Sequence, residues 1–521
     1  MGIVKKQSLF STAIIYVGFF IAIINNVLLT PKALTLEQLG FTTVLLSLST
    51  IFYSYSSFGL INIINKFSGY YKKHLQVKQN DLLSMSLVAV CGGALVITAL
   101  YMLFQVQIFS LFDQQELLRK YGMYIPITGA FLLLQTVLIT YTNTYYKTIW
   151  TNFVKEVVFR VYNMVLIFLM LYRVISFDLY ILLYMCSYVF TSLLLTIYLV
   201  ASRRAALVPR PSRLSRRLWP FMWKMGLITW TGDIVFSIGQ QVDVLMIQSV
   251  LTSAKTGYYS FLIGFAALIM APQRALVNIS FPILADLWRR KDMMGIQTLY
   301  RKGANTMLLV GGLVFLLVTC NTESIFDIAN KKEYYHEFFL GPHIILLIGI
   351  ARLIELGTGV NASIIYTAPK TSFWMTDFLA SLVIIVLIIA MNYFLASTFG
   401  LTGIGYAGIF AFALHNLFRI SYLYYKIRIQ PFSVNMLKTV ALIVVTYVIF
   451  NWTHEYFEEL FTLPVQKSPL LRVLPVIAVK STLIAGIYLL VAYYLRISDD
   501  VNTLTLQVIS KVRSVIRPGN K

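Results

Sequence analysis

Eleven charged side chains stand where charge is expensive. Arg160, Lys224, Arg274, Arg352, Arg419 and Lys480, with Glu156, Asp233, Asp243, Glu355 and Asp377, all fall inside long apolar stretches. A charge at the centre of a bilayer costs at least about 2.5 kcal/mol on insertion scales, so each needs a partner, a route to water or a task. Glu156 and Arg160 are four residues apart, and Arg352 and Glu355 three, so each pair can meet on one helical face. Such a pair is either a neutralised unit that eases insertion or part of a polar cavity, and spacing leaves both readings open. Lys224 lies near the end of its run, where a lysine can reach out to the interface. Arg419 can do the same toward Lys426, or face a cavity. Lys480 fits a structural or headgroup-binding role.

Arg274 differs from these. It follows Pro272 in APQRALVNISFP, and no acid stands three or four residues to either side. Proline removes a backbone hydrogen bond and can kink the helix, opening carbonyls to a cavity. An arginine so placed suits water or an anionic substrate. Arg274, Arg352, Arg160 and Arg419 are therefore the candidate anion-binding residues. Asp233 and Asp243 are ten residues apart, which at about 100° per residue leaves them about 80° apart around a helix. Asp243 follows Gln240 and Gln241, and Asn26 follows Asn25 in the first run. Polar groups of this kind can bind an ion or tie helix to helix. Asp243, Asp233, Asn26, Glu156 and Asp377 are the candidate ion-coupling or cavity-lining residues, with Na+ or H+ as the coupling ion. Cys91, Cys186 and Cys320 all lie in apolar stretches and read as small core residues. Their spacing suggests no metal site and no disulfide framework, and no cofactor is expected.

The elements that must carry these residues are membrane helices. Of 521 residues, 58% are hydrophobic and 12% charged, with a mean hydropathy of +0.75. Soluble proteins carry about 25% charged residues, so a soluble enzyme, a DNA-binding protein and a secreted domain are excluded. Apolar runs occur at 8–29, 40–62, 82–104, 121–146, 153–172, 177–200, 221–249, 257–281, 303–326, 338–366, 373–395, 402–425, 436–452 and 473–495. Each is about the length that spans a bilayer. The first lacks a small-residue cleavage site and reads as an uncleaved helix. An even number of spans places both termini on one side. Of the 43 Lys and Arg, 28 fall in segments on that side and 9 on the other. Basic residues collect in cytoplasmic loops, so both termini are expected in the cytoplasm. The net charge of +22 is then a matter of topology and not of nucleic acid.

The sequence repeats at an offset of 217. LTLEQLGF (34–41) falls on LTSAKTGY (251–258), YKKH (71–74) on WRRK (288–291), and Asn26 on Asp243. The expected fold is an all-α polytopic membrane protein of about 14 transmembrane helices. Two pseudo-repeated six-helix lobes are followed by two extra helices. The segments are 1–200 (first lobe), 201–218 (basic cytoplasmic linker), 219–430 (second lobe) and 431–521 (last helix pair and tail). Parallel repeats are a common transporter plan, with a site where the halves meet.

The outer-loop motif LLTPKALTLEQLGF (28–41), its counterpart GYYSF (257–261), the stretch SFPILADLWRRKD (280–292) and the extra helix pair together resemble the O-antigen- and capsule-type polysaccharide flippases. These belong to the multidrug/oligosaccharidyl-lipid/polysaccharide exporter superfamily. The resemblance implies two six-helix lobes in a V around a central cavity, in a bacterial inner membrane. It implies transfer of undecaprenyl-diphosphate-linked oligosaccharide between leaflets by alternating access. The expected partners are that substrate, membrane lipids, and a glycan polymerase or ligase. Related lipid II flippases hold the diphosphate on cavity arginines, for which Arg274 is the positional candidate. The absence of arginine from the first run departs from that branch. The rival within the superfamily is a cation-coupled multidrug exporter. A membrane glycosyltransferase or polymerase would need a large outer loop with catalytic carboxylates. The longest, 453–472, has no DxD, and no P-loop, HExxH or GxSxG occurs, so no enzyme is expected.

Overall fold

The computed structural model describes residues 10, 14–15, 17–76, 79–112, 115–145, 148–202, 210–328, 341–453, 456–457, 459, 469–498 and 502. Every regular element among them is helical, as a chain with no water to satisfy its backbone requires. Among the described residues, each of the fourteen apolar runs lies largely on helix. Among the described residues, eight helices are long and apolar enough to cross a membrane, and ten if each of two bent pairs counts as one span. The others are shorter, interrupted or more polar. Val17–Ala33 is short. Arg213–Val250 is long but carries Asp233, Gln240, Gln241 and Asp243 in its second half. The protein is thus an all-α, multi-pass membrane protein.

The chain divides into two compact units, Met1–Phe261 and Leu262–Lys521. The first contains α1 (Val17–Ala33), α2 (Leu36–Ser56), α3 (Leu60–His74), α4 (Leu82–Phe109), α5 (Gln115–Tyr121), α6 (Tyr124–Asn143), α7 (148–171), α8 (Phe177–Ala201) and α9 (Arg213–Val250). Side chains set where these begin. Thr35 and Gln38 form a reciprocal capping box on α2, which satisfies two of the helix's orphan donors. Ser176 and Ser212 cap α8 and α9. Asp81, fully buried, accepts from the backbone N–H of Ser212 at 2.7 Å and from Ser215 Oγ at 2.6 Å, so it fixes the entry of α9 beside the start of α4. Tyr71, the first residue of YKKH, is fully buried with its hydroxyl 2.7 Å from Ser215 Oγ.

α10 (Ser253–Ile269) crosses the boundary between the units, and the second unit then contains α11 (Ala271–Arg290), α12 (Met293–Thr319), α13 (Thr322–Ile328), α14 (Gly341–Gly357), α15 (Asn361–Thr367), α16 (Thr371–Phe399), α17 (Leu401–Ile427), α18 (Val434–Trp452) and α19 (Pro469–Tyr494). Leu442, Ile443 and Phe450 of α18 and Ile484 and Tyr488 of α19 join one core with Met307, Leu308, Phe315 and Leu356. The last helix pair is therefore packed into this unit. Trp288, which opens WRRK, is buried and donates from Nε1 to the Ile364 carbonyl at 3.2 Å. Both basic repeat motifs thus open on an aromatic buried in its own unit. Residues 203–209 of the linker lie outside the described residues.

Two spans are broken. α2 and α3 meet at 47°, and α14 and α15 at 46°. Each break holds a left-handed glycine, Gly59 at φ +71° and Gly359 at φ +64°, a conformation that side-chain-bearing residues adopt only at a cost.

Candidate functional site

In the first unit two helices widen into π turns, Ile24–Leu29 of α1 and Phe153–Val158 of α7. Single π turns occur frequently at functional sites, because the altered winding re-aims side chains. One turn carries Asn25 and Asn26, the other Glu156. Asn25 is buried, and its Nδ2 donates to the Arg160 carbonyl at 2.9 Å. Arg160 Nη2 donates to Glu156 at 2.6 Å, and its guanidinium lies over the Phe19 ring, 5.3 Å from the centroid. Gly18 brings its backbone so close to Glu156 that an added Cβ would sit 2.7 Å from that carbonyl oxygen. The Oδ1 atoms of Asn25 and Asn163 are buried with no hydrogen-bond partner among the described residues. Asn26 is exposed.

A second polar constellation surrounds the α2–α3 break. A break frees backbone groups that need partners, and α9 supplies them. Trp230 Nε1 donates to the carbonyls of Ser54 at 3.0 Å and Tyr55 at 2.9 Å, and Ser237 Oγ to that of Thr50 at 3.3 Å. Phe58 stacks on Trp230 with centroids 4.7 Å apart. Just past the break, Asn62 Nδ2 donates to both carboxylate oxygens of Asp233, at 3.2 and 3.4 Å. Further along α9, Asp243 accepts from the Tyr259 hydroxyl at 3.0 Å.

The second unit repeats the theme. At the α14–α15 break, Asn416 Oδ1 accepts from Thr358 Oγ1 at 2.8 Å and Asn361 Nδ2 at 2.9 Å. Asp377 of α16 is fully buried and is gripped from α17 by both prongs of Arg419, at 2.7 and 2.9 Å. His415 Nε2 is 3.7 Å from the same carboxylate. Arg352 lies 3.5 Å from Glu355 and over the Phe412 ring at 4.7 Å. Lys480 is buried to 1% exposure. Arg274 lies on α11, and its side chain is outside what the structure describes.

Of the residues singled out from sequence, three pairs come together: Glu156 with Arg160, Arg352 with Glu355, and Asp377 with Arg419. The last joins two helices at a separation of 42 residues, so no spacing rule could have found it. Asp233 pairs with Asn62, and Asp243 with Tyr259. Asn62, His415 and Asn416 join these constellations without having been singled out from sequence, and Tyr259 only as part of GYYSF. Asn62 carries a local cue, its closeness to Gly59.

No known protein family matches the chain, and no curated protein matches it. Solved structures do. A structure described as the lipid II flippase MurJ in an inward closed conformation superposes with a TM-score of 0.65 at 14% identity, over 94% of this chain and 99% of that one. An inward-facing multidrug resistance MATE family transporter of the MOP superfamily gives 0.57 at 14% identity, over 80% of this chain and 97% of that one. The MATE multidrug transporter DinF-BH gives 0.55 at 14% identity, over 82% and 95%. The chain has the fold of these transporters. Identities this low establish the architecture alone.

Proposed function

We propose that the chain is a flippase that carries undecaprenyl-diphosphate-linked oligosaccharide across a bacterial inner membrane by alternating access. The observation that carries this reading is coverage. The lipid II flippase structure matches 94% of the chain, whereas the two drug exporters leave about a fifth unmatched. Arg274 would hold the diphosphate, since a guanidinium offers two parallel donors to phosphate oxygens. Arg160, Arg352 and Arg419 each face a carboxylate, so they would reach a diphosphate only by exchanging one anion for another. Such an exchange gives the bound lipid a different affinity for two states, which is what a transport cycle requires. The sugars would travel in a wet cavity and the polyprenyl tail in lipid. A glycan polymerase or ligase would receive the product.

The second reading is a cation-coupled multidrug exporter. The Asp233 carboxylate favours it, because its partner is the Asn62 amide and not a base. Proteoliposomes separate the two. The flippase reading expects a fluorescent undecaprenyl-diphosphate oligosaccharide to equilibrate between leaflets. Arg274→Ala should abolish this while the protein stays in the membrane, and Arg274→Lys should restore it partly. Movement of a cationic dye, with none of the glycan lipid, would replace the flippase by the exporter.

A further inference from the structure

A cavity of about 160 Å³ in the second unit shares no residue with the ion pairs above. It is lined by Arg301, Lys302, Asn305 and Thr306 of α12, Ser433 and Asn435 at the start of α18, and Ile497 and Ser498 beyond α19. Seven of these eight residues are polar. Its walls are braced from behind. Asn305 Nδ2 donates to the Ile497 carbonyl at 2.7 Å, and Thr439 Oγ1 donates to Asn305 Oδ1 at 2.8 Å. Thr306 and Ser498 hydroxyls stand 3.4 Å apart. Among the described residues no carboxylate forms an ion pair with Arg301 or Lys302.

Two basic side chains beside braced hydroxyl and amide groups make an anion receptor. Its volume exceeds that of several water molecules and accommodates a phosphate group. Arginine can grip phosphate in two-pronged fashion, and lysine adds a point charge. The cavity lies at the polar ends of membrane-spanning helices, and basic pockets so placed take phospholipid headgroups. We propose that this pocket binds the phosphate group of an anionic phospholipid in the adjoining leaflet. The other source of the same chemistry is soluble phosphate.

The test is a phosphatidylglycerol titration of the full-length protein in detergent, read by native mass spectrometry. Arg301→Gln/Lys302→Gln is compared with wild type and with Arg289→Gln/Arg290→Gln, which removes equal charge from a pair that already has a partner in Asp286. Both pocket bases are exposed, so the variant should fold. Each base near a charged headgroup contributes roughly fivefold, so the pocket variant should bind about 30-fold more weakly, and the control nearly as wild type. Equal affinity in the pocket variant and wild type overturns the proposal, as does an equal loss in the control. A parallel titration includes millimolar inorganic phosphate. Unchanged lipid binding supports the headgroup. Complete displacement of the lipid overturns it in favour of soluble phosphate.

Discussion

Gly40 and Gly257 lie backbone to backbone, 217 positions apart, and each faces the repeat counterpart of what the other faces. A Cβ on Gly40 would sit 2.0 Å from the Ser253 carbonyl oxygen, and one on Gly257 would sit 1.9 Å from that of Leu36. Leu36 and Ser253 are also 217 apart. Contacts of the form i to j and j to i are what a two-fold relation generates. The offset read from LTLEQLGF and LTSAKTGY is therefore present in three dimensions as a reciprocal helix contact, made by residues small enough to allow it.

Either glycine replaced by alanine must push the two helices apart, because the obstructing atoms are backbone. Gly40→Ala and Gly257→Ala should each destabilise by roughly 1–3 kcal/mol or more. The double variant should cost clearly less than the sum, since the first substitution has already opened the contact. Gly92→Ala, whose Cβ would meet nothing within 4 Å, should be neutral. Thermal inactivation in detergent, followed by size-exclusion chromatography, measures all four. Strict additivity would mean that the two glycines are not one contact.

Much of the fold was legible because membrane helices are long and their signal is composition. Among the described residues, all fourteen apolar runs lie largely on helix. The Glu156–Arg160 and Arg352–Glu355 pairs were legible because i,i+4 and i,i+3 spacing fixes proximity within a helix. Asp377–Arg419 and Asn62–Asp233 were not, because they join different helices and register between helices leaves no local trace. The two breaks were not legible, because Gly59 and Gly359 look like any other glycine until their positive φ is seen; Pro272, whose chemistry does signal a weak point, sits in the first turn of α11 and at neither break. The π turns were invisible, since INNVLL and FVKEVV obey ordinary helical composition.

The Asp377–Arg419 pair gives the second prediction. The carboxylate has no exposure and two arginine hydrogen bonds. Arg419→Ala strands a buried charge and should destabilise by about 3–5 kcal/mol. Asp377→Asn/Arg419→Met removes both charges at similar volume and should recover most of that loss. Midpoints of thermal unfolding in detergent provide the check. A double variant no more stable than Arg419→Ala would show that the pair is not a self-contained ionic unit.

Cysteine accessibility gives the third. Cys91 is exposed and Cys320 is buried, so a small maleimide should modify Cys91 in detergent much faster than Cys320. In a background lacking the native cysteines, Arg210→Cys, at the exposed start of α9, should resist an impermeant reagent applied outside intact cells. Rapid outside labelling of position 210 would invert the topology drawn from the basic loops.

The last prediction concerns the hinge at Gly59. Asn62 lies just beyond the break, and its amide reaches across to Asp233 on α9, while Trp230 one turn earlier binds the carbonyls of Ser54 and Tyr55 on the near side. One helix therefore holds both arms of a bent span. If the bend changes during transport, these are the bonds that must be remade, and the Asn62–Asp233 bond is the one that an ion or proton on the carboxylate would weaken. Asn62→Leu should leave the fold intact but less stable, since hydrogen bonds between membrane helices average about 0.6 kcal/mol and reach about 1.7. Asp233→Asn keeps a polar partner for Asn62 and loses the titratable group. It should therefore change stability less than Asn62→Leu does, yet reduce the dependence of transport on an imposed pH or Na+ gradient. The exchanged pair Asn62→Asp/Asp233→Asn restores one carboxylate facing one amide. It should recover both stability and gradient response relative to either single variant. The measurement is leaflet transfer in proteoliposomes with and without a gradient, beside thermal midpoints for the same preparations. An exchanged pair that regains stability but not gradient response would make Asp233 a packing residue and place coupling elsewhere.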